Sequence, residues 1–513
     1  MSETRCAIVL AAGQGTRMKS SLIKVLHPVA GRPMVRRVVE AARGAGCDPV
    51  IVVVGRQGEQ VRQSLADVPG VRFAVQAEQR GTGHAVRCAA PALDRFDGTA
   101  LLLPADVPLI RAATLDALAA QRERDGALAT VLSMELHEPK WYGRVLRGTT
   151  GGVTAIVEAR DCDPAQLAVQ EVNSGLYAAD LTFLFGADGT GGALASLSPE
   201  NDQGELYLTD IIASAAASDG ADARIHGDPS EVLGVNDRAE LARVEDLLYA
   251  RTASGWMADG VTIQSPRSVR VDPEVELAAD VVLEPRVQLR GDTRIATGAV
   301  IETGAVLRDT VVGEGARIGV GSVLRSADVA EGAQVRPYTL MVGINEKKPQ
   351  ESTDADRVRV GADARIGPFS HLRMRSRLAA GVHLGNFVET KNTEMDDGAK
   401  ANHLAYLGDG HVGARSNVGA GVIFCNYDGL DKNLTDIGED AFVGSDSQLV
   451  APVRVGDRAY VGSGTTVTRE VPDGALVVTR AKEKMLRGVG DRKHDRILAA
   501  KAARRADGEG RGK

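Results

Sequence analysis

A glycine-rich loop directly after an apolar run is the first stretch whose residues suit chemistry. Residues 6–12 are apolar without polar alternation, as in a buried strand, and residues 13–18 read GQGTRM. Such a loop exposes backbone N–H groups to phosphate oxygens, and Arg17 and Lys24 add positive charge. Taken alone, Gly-x-Gly is more often an ordinary turn, and this loop matches neither GxGxxG nor GxxxxGK[ST]. It therefore indicates a phosphate site without a dinucleotide or Walker signature.

A second group of reactive side chains lies between residues 383 and 428. His, Glu, Lys, Tyr and Asn follow one another closely there, in a region otherwise built from Gly, Ala and aliphatic residues. The group includes His403, whose imidazole titrates near neutral pH. A lone loop histidine is more often structural than catalytic. The density of polar residues nevertheless indicates a functional site, and we interpret residues 389–428 as an interruption of the surrounding repeat.

The surrounding repeat places aliphatic residues six positions apart through the second half of the chain. A period of six is neither the helical 3.6 nor the strand period of two. It predicts a prism-shaped coil with three short strands per turn, in which each aliphatic residue points into a shared core. The runs are Val269, Val275, Val281 and Val287; Val300, Val306, Val312, Ile318 and Leu324; Val360, Ile366, Leu372, Leu378 and Leu384; and Ile437, Val443, Leu449, Val455, Val461 and Val467.

Two further stretches depart from the coil pattern. Residues 342–358 carry charge, Pro and small polar residues that cannot fill a coil core, so we expect an exposed excursion and assign it no function. After Arg480 the repeat stops, and a basic tail follows that is rich in Ala, Gly and Arg. We expect this tail to be helical over residues 493–506 and disordered at its end.

The first half alternates apolar runs with helix-like stretches. Buried strands are predicted at residues 6–12, 50–54, 100–103 and 129–133, and helices at residues 34–44, 58–66 and 114–125. This order predicts a parallel sheet with helices on both faces, where ligands bind beyond the carboxyl ends of the strands. An amphipathic helix over residues 236–251, followed by Gly255, is predicted to connect the two halves or to pack as the last helix of the first domain, and the two roles are compatible.

The totals fit a soluble chain of two or three domains. The chain has 513 residues, 43% hydrophobic and 25% charged, and its formal charge of −7 gives no reason to expect nucleic-acid binding. Five scattered cysteines without CxxC spacing argue against a zinc site or a disulfide framework, and favour a reducing cytoplasm. No signal peptide and no apolar stretch long enough to span a bilayer is recognisable.

Residues 10–27, LAAGQGTRM…KVLH, resemble the signature of sugar-1-phosphate nucleotidyltransferases. In that family the loop, the Arg and the Lys hold the nucleotide triphosphate, which implies catalytic roles for Arg17 and Lys24. The segments QAEQRGTGHA, PADVPL, YGR, IVE, EVNSG and GVNDR follow in the family's order and imply Asp106 and Asn236 as ligands of Mg2+. The implied substrate-binding residues are Leu10, Ala11, Ala12, Gly13, Gln76, Gly81, Thr82, Gly143, Glu158, Asn173 and Asn236.

From Arg5 to about Arg480 the sequence resembles the bifunctional GlmU family, an N-acetylglucosamine-1-phosphate uridylyltransferase joined to a glucosamine-1-phosphate acetyltransferase. The resemblance implies His403 as the base of acetyl transfer, oriented by Glu389, and a backbone N–H near Ala420 facing the thioester oxygen. Residues implied to hold the sugar and its phosphate are Arg373, Lys391, Tyr406 and Asn417. Residues implied to contact substrate or acetyl-CoA are Ala420, Asn426, Tyr427, Ser445, Ser463 and Arg480.

The sequence also departs from the family pattern at several positions that shape backbone turns. Loss of a Pro removes a restraint on φ, and Ala at a Gly position is strained only where φ is positive. The departures are Ile23 for Pro, Ala105 for Gly, Met374-Arg375 for Pro-Gly, Asn402 for Gly and Ser463 for Ala.

We therefore predict an α/β fold followed by a β fold. A Rossmann-like nucleotidyltransferase domain covers residues 1–238, a linker helix residues 239–259, a left-handed parallel β-helix residues 260–484 and a basic tail residues 485–513. The resemblance implies acetylation of glucosamine-1-phosphate by acetyl-CoA, then transfer of UMP from UTP to give UDP-N-acetylglucosamine and pyrophosphate. It also implies Mg2+, a homotrimer formed through the β-helix with the acetyl site between subunits, and a role in bacterial envelope synthesis. The alternatives are a nucleotidyltransferase with a regulatory or assembly coil, and a non-enzymatic binding scaffold.

Overall fold

The structure, a computed structural model, describes residues 4–13, 15–56, 58–480 and 484–509. Gln14 of the glycine-rich loop, residues 481–483 and the last four residues of the predicted tail lie outside this range. Two compact units are present, one ending at Asp309 and the other beginning at Thr310. The domain boundaries at residues 238, 259 and 484 stay predictions.

The first unit contains a sheet, its helices and the first strands of a coil. Its helices are α1 (Met34–Gly44), α2 (Glu59–Ser64), α3 (Thr82–Arg87), α4 (Ala112–Asp125), α5 (Pro164–Leu167), α6 (Leu181–Phe185), α7 (Gly192–Ala195), α8 (Asp210–Ala216) and α9 (Arg238–Ala258). Its strands are β1 (Arg5–Ala11), β2 (Pro28–Val29), β3 (Arg32–Pro33), β4 (Val50–Val54), β5 (Val71–Val75), β6 (Thr99–Pro104), β7 (Ala129–Glu135), β8 (Arg144–Arg147), β9 (Val153–Val157), β10 (Glu171–Asp180), β11 (Ala221–Ile225), β12 (Thr262–Ile263), β13 (Arg270–Val271), β14 (Glu276–Leu277), β15 (Val282–Leu283), β16 (Gln288–Arg290), β17 (Arg294–Ile295), β18 (Val300–Ile301) and β19 (Val306–Arg308).

The sheet has the order β11-β7-β10-β6-β1-β4-β5, with β8 and β9 attached beside β10. Strands β5, β4, β1 and β6 are parallel, as predicted, and Ala7 lies opposite both Val50 and Leu101. The prediction of a parallel sheet is wrong for β10, which runs antiparallel to both β6 and β7. The chain returns from β7 through the β8–β9 hairpin, and an antiparallel return needs no helical crossover over the sheet. The sheet is therefore mixed.

The apolar strands of the sheet are buried on both faces. Ala7 and Val9 of β1 belong to a core with α1 and α4, whereas Ile8 packs on the opposite face with α8. Both faces exclude water, so the strand needs no polar alternation. Helix α9 begins after Asp237, whose carboxylate accepts from the backbone N–H groups of Ala239 and Glu240. It runs beyond the predicted end at residue 251 and passes through Gly255 without a break.

The coil strands of the first unit pair in parallel with the third strand that follows. Arg270 of β13 lies opposite Gln288 of β16, one 18-residue turn later, so three hexapeptides form each turn. The inward positions include Leu283, Ile301 and Leu307, each 0% exposed. The predicted core residues Val269, Val275, Val281 and Val287 are buried. The prediction is wrong for Val300 and Val306, which are only half-buried and lie one position before the inward Ile301 and Leu307.

The second unit is made of further coil turns and one helix, α10 (Val489–Glu509). The two later aliphatic runs, from Val360 to Leu384 and from Ile437 to Val467, are buried throughout. The strands are β20 (Val311–Val312), β21 (Arg317–Ile318), β22 (Val323–Arg325), β23 (Ala327–Val329), β24 (Gln334–Val335), β25 (Leu340–Val342), β26 (Val358–Val360), β27 (Arg365–Ile366), β28 (His371–Arg373), β29 (Ser376–Leu378), β30 (His383–Asn386), β31 (Glu389–Met395), β32 (Lys400–His403), β33 (Tyr406–Val412), β34 (Asn417–Val418), β35 (Ile423–Cys425), β36 (Thr435–Ile437), β37 (Phe442–Val443), β38 (Gln448–Val450), β39 (Val453–Val455), β40 (Tyr460–Val461), β41 (Thr466–Val467) and β42 (Leu476–Val477).

The polar stretch that we expected to interrupt the repeat is regular coil over most of its length. In β31 and β33, Thr390 and Leu407 point inward with 0% exposure, while the polar side chains between them point outward. Only residues 426–434, between β35 and β36, leave the coil. Residues 343–357 leave it between β25 and β26, as predicted. This excursion is tied to the coil by ion pairs from Arg357 to Asp328 and from Arg375 to the buried Asp356.

Two further findings concern the described residues as a whole. None of their helices is both long and apolar enough to cross a lipid bilayer. All five cysteines are unpaired thiols, and Cys6 and Cys47 are buried.

Candidate functional sites

The carboxyl ends of the parallel strands β1 and β6 surround a cavity in the first unit, together with residues 173–177 of the antiparallel β10. β1 ends at Ala11 and β6 at Pro104, so the residues after these strands face the cavity, as expected for such sheets. Ala11 lines a neighbouring cavity that shares Ala12, Gly13 and Gln76. The predicted residues that line the first cavity are Leu10, Ala12, Gly13, Gln76, Gly81, Thr82, Asp106, Glu158 and Asn173.

A cluster of cationic and oxygen-bearing side chains stands at this edge of the sheet. Lys24 Nζ lies 2.5 Å from Asp106 Oδ2 and 2.9 Å from Asn236 Oδ1, and Arg17 Nη2 lies 2.9 Å from the same Asn236 oxygen. The backbone N–H of Val235 donates to the carbonyl of Asp106 over 2.9 Å, which fixes the segment carrying Asn236 beside β6. The structure therefore brings together the four residues predicted for the triphosphate and the metal.

This cluster has the donor set that a hard divalent cation requires. Asp106 and Asn236 offer one carboxylate and one amide oxygen, and both already accept from the ammonium group of Lys24. Mg2+ takes oxygen ligands, keeps several waters and commonly shares phosphates with its substrate, so two protein oxygens suffice. Among the described residues, no three His, Cys, Asp or Glu side chains form a self-contained metal site. The residues fit an ion held jointly with a nucleotide.

The segment predicted to read the base is closely packed. Gln76 is 4% exposed, and its amide nitrogen donates to the carbonyl of Gly81 over 3.1 Å. Gly81 has φ +99°, and a Cβ at this position would lie 2.6 Å from the carbonyl oxygen of Leu206, so glycine is required there. Gln79, which we did not single out, donates to the carbonyl of Ala12 over 2.5 Å and so joins this segment to the glycine-rich loop.

The opposite end of the cavity holds the residues predicted for the sugar. The backbone N–H of Asn173 donates to the carbonyl of Gly143 over 2.9 Å, so these two predicted residues are neighbours. Burial raises the pKa of Glu158, and the nearby Asp161 and Asp210 raise it further. Sequence reasoning missed Tyr177, four residues after Asn173, because an apolar strand position carries no signal of its own. The other lining residues that it missed include Pro104, Glu205 and Thr209.

In the second unit, His403 is the last residue of β32 and is exposed. It pairs in register with Asn386 of β30, and its Nδ1 lies 2.8 Å from Asn386 Oδ1. An amide oxygen only accepts, so Nδ1 carries the proton and Nε2 of the neutral ring is unprotonated. Among the described residues, the side chain bonded to His403 is therefore that of Asn386, and not that of Glu389, which was predicted to orient the ring. Glu389 instead accepts from Arg373 Nη1 over 2.9 Å.

Four of the six residues predicted to contact substrate or acetyl-CoA form a column along one corner of the coil. Each turn donates one hydrogen bond to the turn before it, beginning at the carbonyl of His403. The bonds are Gly421 N–H to His403 O at 3.4 Å, Asp446 N–H to Ala420 O at 2.7 Å, Gly464 N–H to Ser445 O at 2.8 Å and Arg480 Nη1 to Ser463 O at 2.6 Å. Ala420, Ser445, Ser463 and Arg480 are thus stacked in order after His403.

The residues predicted for the sugar and its phosphate stand on several strands of the coil. Arg373, Lys391 and Tyr406 are on β28, β31 and β33, and Asn417 lies opposite Lys400 on β34. Among the described side chains, His403 makes no hydrogen bond to Arg373, Lys391 or Tyr406. These residues are therefore not joined to His403 by direct hydrogen bonds, and their sharing of one acetyl site stays a prediction.

Asn426 and Tyr427 open the excursion after β35. The amide nitrogen of Asn426 donates to Asp409 Oδ2 over 2.5 Å, which ties the excursion to the coil. The Tyr427 ring is exposed, and Lys432 Nζ lies 4.6 Å from its centre. Asn426 is 5% exposed, so of this pair only Tyr427 is open to a ligand.

The departures from the family pattern fit the backbone without strain in most places. Ile23 has φ −57°, which is the value that a proline would impose, and Ala105 and Asn402 do not have positive φ. Arg375 does have φ +60°, and its side chain is held by Asp356 over 2.8 Å. Arg375 therefore adopts, with a side chain, the left-handed conformation that the family's glycine would adopt without strain.

Comparison with known proteins gives matches to both halves and to the whole chain. Residues 7–161 match the MobA-like NTP transferase domain, and residues 435–469 match the bacterial transferase hexapeptide family of six repeats. The bifunctional protein GlmU of Sorangium cellulosum is 48% identical over 96% of this chain and 98% of its own. The bifunctional protein GlmU of Geobacter sulfurreducens is 46% identical over 95% of this chain and 99% of its own. That of Kineococcus radiotolerans is 43% identical over 98% of this chain and 96% of its own. The predicted fold class and the predicted pair of transferase activities are confirmed, and the chain belongs to the bifunctional GlmU family.

Proposed function

We propose that this chain acetylates glucosamine-1-phosphate in its coil and then uridylylates the product in its α/β unit. The second step joins N-acetylglucosamine-1-phosphate to UMP from UTP and releases pyrophosphate. The observation that carries the proposal is the contact of Lys24 with both Asn236 and Asp106, which is one of nine predicted residues that line the cavity. The product would serve the synthesis of peptidoglycan and lipopolysaccharide in a bacterial envelope.

In uridylyl transfer, the sugar phosphate attacks the α-phosphate of UTP in line, and pyrophosphate leaves. Arg17 and Lys24 are the cations that neutralise the triphosphate, since fixed charges near the reacting phosphate supply most of the protein's share of catalysis in such transfers. Gln76, Gly81 and Thr82 read the pyrimidine edge. Asn173 and Glu158, at the other end of the same cavity, hold the sugar.

We assign Asp106 and Asn236 as the protein ligands of Mg2+. Their oxygens share one donor, Lys24 Nζ, which supports their convergence on a single cationic position. When bound, the ion would neutralise charge on the phosphates. Lys24 would then be free to turn from these oxygens to the phosphates.

In acetyl transfer, we assign His403 as the base that removes a proton from the attacking amine. The hydrogen bond from Nδ1–H to Asn386 leaves Nε2 as the proton acceptor, which supports this role. The amine nitrogen attacks the thioester carbonyl, coenzyme A leaves as the thiol, and a backbone N–H near Ala420 donates to the oxyanion. The corner column that ends at Arg480 is the proposed track for the coenzyme.

We propose that the acetyl site is completed by a second chain in a homotrimer. Arg373, Lys391 and Tyr406 stand on strands other than the one carrying His403, and no hydrogen bond joins them to it within the chain described. Subunits packed side by side through their coils would complete the site, and hexapeptide coils suit such association. The unpaired thiols support a cytoplasmic location.

Two reciprocal variants test the assignment, with both half-reactions measured on each. Asp106→Ala should lower pyrophosphate release from UTP and N-acetylglucosamine-1-phosphate by about a hundred-fold or more and spare acetyl transfer. His403→Ala should lower acetyl transfer by about a hundred-fold or more and spare pyrophosphate release. Asp116→Ala and His494→Ala, which remove surface residues of the same types, serve as controls.

The alternatives give different results in the same assays. If the coil only regulates or assembles the enzyme, His403→Ala leaves every activity intact. If the protein is a binding scaffold, the unmodified chain releases no pyrophosphate under any of the conditions.

A further inference from the structure

A tyrosine that the proposed mechanism does not use stands at the sugar end of the cavity. Tyr177, on β10, is 2% exposed, yet it lines the cavity beside Asn173 and Glu158. Its ring is among the largest fully buried side chains of the protein. A buried hydroxyl needs a partner, and this one donates to Asn173 Oδ1 over 3.0 Å.

The amide of Asn173 is held in one orientation by two donors. The backbone N–H of Gly175 lies 2.8 Å from Asn173 Oδ1, and the hydroxyl of Tyr177 lies 3.0 Å from the same atom. A backbone N–H can only donate, so the atom facing it must be the amide oxygen and not the nitrogen. The two bonds occupy the acceptor positions of Oδ1. The NH2 group of Asn173 is therefore the part left for a ligand.

A bulge in β10 places these groups together. Asn173 lies opposite Ser133 and Leu176 opposite Leu132, so Ser174 and Gly175 are inserted between paired residues. The Ser174 hydroxyl donates to the carbonyl of Leu132 over 2.6 Å, which fixes the bulge to β7. Bulges are known to re-aim side chains next to active sites. Here the bulge turns the Gly175 N–H back onto Asn173 and leaves Tyr177 on the same face as Asn173.

We propose that Tyr177 is a positioning residue that fixes the Asn173 amide with its nitrogen toward the sugar. The inference rests on the proposed function, which puts the sugar phosphate at Asn173. A donor fixed in this way selects a sugar that offers an acceptor oxygen, either a hydroxyl or an acetamido carbonyl. Glu158, on the same cavity wall, offers acceptor oxygens for a hydroxyl or an amide N–H. Together the two side chains read one acceptor and one donor of the sugar.

Tyr177→Phe tests the role because it removes the hydroxyl and keeps the buried ring. One hydrogen bond to the amide is lost, so the KM for N-acetylglucosamine-1-phosphate should rise about five-fold. The kcat should stay within about two-fold, and the KM for UTP should not change, since the base-reading residues are untouched. Calorimetric titration of the sugar phosphate should show the same loss of affinity. An unchanged KM for the sugar phosphate would overturn the inference.

A double-mutant cycle separates positioning from packing. In an Asn173→Ala background, Tyr177→Phe should have no further effect on the KM for the sugar phosphate, because the group on which it acts is gone. Additive effects of the two changes would contradict the inference.

The matched control is Tyr249→Phe. It removes another buried hydroxyl, bonded to Asp272 Oδ1 over 3.1 Å and outside the cavity, and it should leave both KM values unchanged. An equal rise in KM in this variant would also contradict the inference. Failure of the proposed function has a different signature, since the unmodified chain would then show no turnover with any sugar phosphate.

Discussion

The α/β unit and the coil assemble their candidate sites in different ways. In the α/β unit, residues from the ends of β1 and β6, from β10 and from the segment before α3 line one cavity. In the coil, the candidate residues follow one corner at intervals of one turn and extend over other strands. The first arrangement depends on tertiary folding around a switch in strand order, and the second on the repeat itself.

The two candidate sites also differ in how many of their residues are bonded to one another within a single chain. The charged cluster of Lys24, Asp106 and Asn236 is bonded together inside one chain. Among the side chains that the structure describes, His403 is bonded to that of Asn386 alone, and the corner that it begins is exposed. A repeat with outward-facing polar residues offers a surface and not a pocket. This difference favours the proposal that a neighbouring chain encloses the acetyl substrate, whereas the cavity of the α/β unit is lined by one chain.

Mixing inactive variants tests this contrast with the largest expected effect. His403→Ala and Lys391→Ala should each abolish acetyl transfer. If subunits share the site, random mixed trimers should regain activity at about a quarter of their sites, where both residues are intact. Asp106→Ala mixed with Glu158→Ala should regain no uridylyl transfer, because that site lies within one chain. The measurement is acetyl and uridylyl transfer after co-expression with two affinity tags.

Two outcomes of the mixing experiment would count against the comparison between the two units. Recovery of uridylyl transfer in the second mixture, or none of acetyl transfer in the first, would contradict the comparison. Each variant assayed alone provides the background.

Glycines that allow close approach between coil turns give the next largest effect. A Cβ on Gly385 would lie 1.9 Å from the carbonyl oxygen of Asn402, the residue before His403. Backbone atoms cannot move aside as a flexible side chain does, so Gly385→Ala should destabilise the coil by about 3 kcal/mol or more. Scanning calorimetry should show one transition lowered, with loss of acetyl transfer and retention of uridylyl transfer.

Gly152→Ala is the matched control. No atom lies within 4 Å of a Cβ built there, so stability should change by less than about 0.5 kcal/mol. An unchanged transition in Gly385→Ala would mean that the coil turns are less tightly stacked than described.

Much of the fold could be predicted because its signals are local. The strand at Val50–Val54 and the helix at Met34–Gly44 agree with the predicted residues, since continuous apolar runs and helical periods depend on neighbouring residues. The antiparallel β10 could not be predicted, because strand direction depends on how distant segments pair. The error at Val300 and Val306 has a related cause, since two adjacent aliphatic residues leave the inward position undecided.

The candidate site was predicted to a different degree in the two units. In the α/β unit, motif residues converge on one cavity, and the lining residues that sequence reasoning missed include the supporting Gln79 and Tyr177. Neither residue is of a type that by itself indicates a catalytic or binding role. In the coil, Asn386 was missed although Glu389 was considered, because only the register of β30 and β32 reveals which side chain lies beside His403.

Gly81→Ala should disturb the α/β site by an intermediate amount. Glycine at φ +99° is opposed by the carbonyl of Leu206 at 2.6 Å, so Ala is strained both by its backbone conformation and by contact. The cost should be about 2 kcal/mol, and the KM for UTP should rise while acetyl transfer is unaffected. Steady-state kinetics of both reactions measure this. A lowered acetyl transfer rate would show that the two sites are coupled, which the comparison does not predict.

The smallest effect concerns a histidine on the coil surface. His411 Nδ1 lies 2.8 Å from Asp436 Oδ1, and its Nε2 lies 3.0 Å from Asp396 Oδ2. Burial would lower its pKa, but the hydrogen bonds to these two carboxylates raise it overall. Arg454, 3.6 Å from Asp436, competes for one of the carboxylates.

Because the folded pKa lies above the unfolded value of about 6.5, protonated His411 stabilises the coil fully at lower pH. The contribution is lost as pH rises through the folded pKa. The ring is 36% exposed, so solvent screening should keep the effect below about 1 kcal/mol. Thermal unfolding from pH 5.5 to 8.5 measures this. The transition temperature of the coil should be higher in the unmodified protein than in His411→Gln at pH 5.5, and the two temperatures should become equal toward pH 8.5. The transition temperature of the α/β unit should be the same in both proteins at every pH. A difference between the two coil transition temperatures that does not change with pH would contradict the role of the His411 charge.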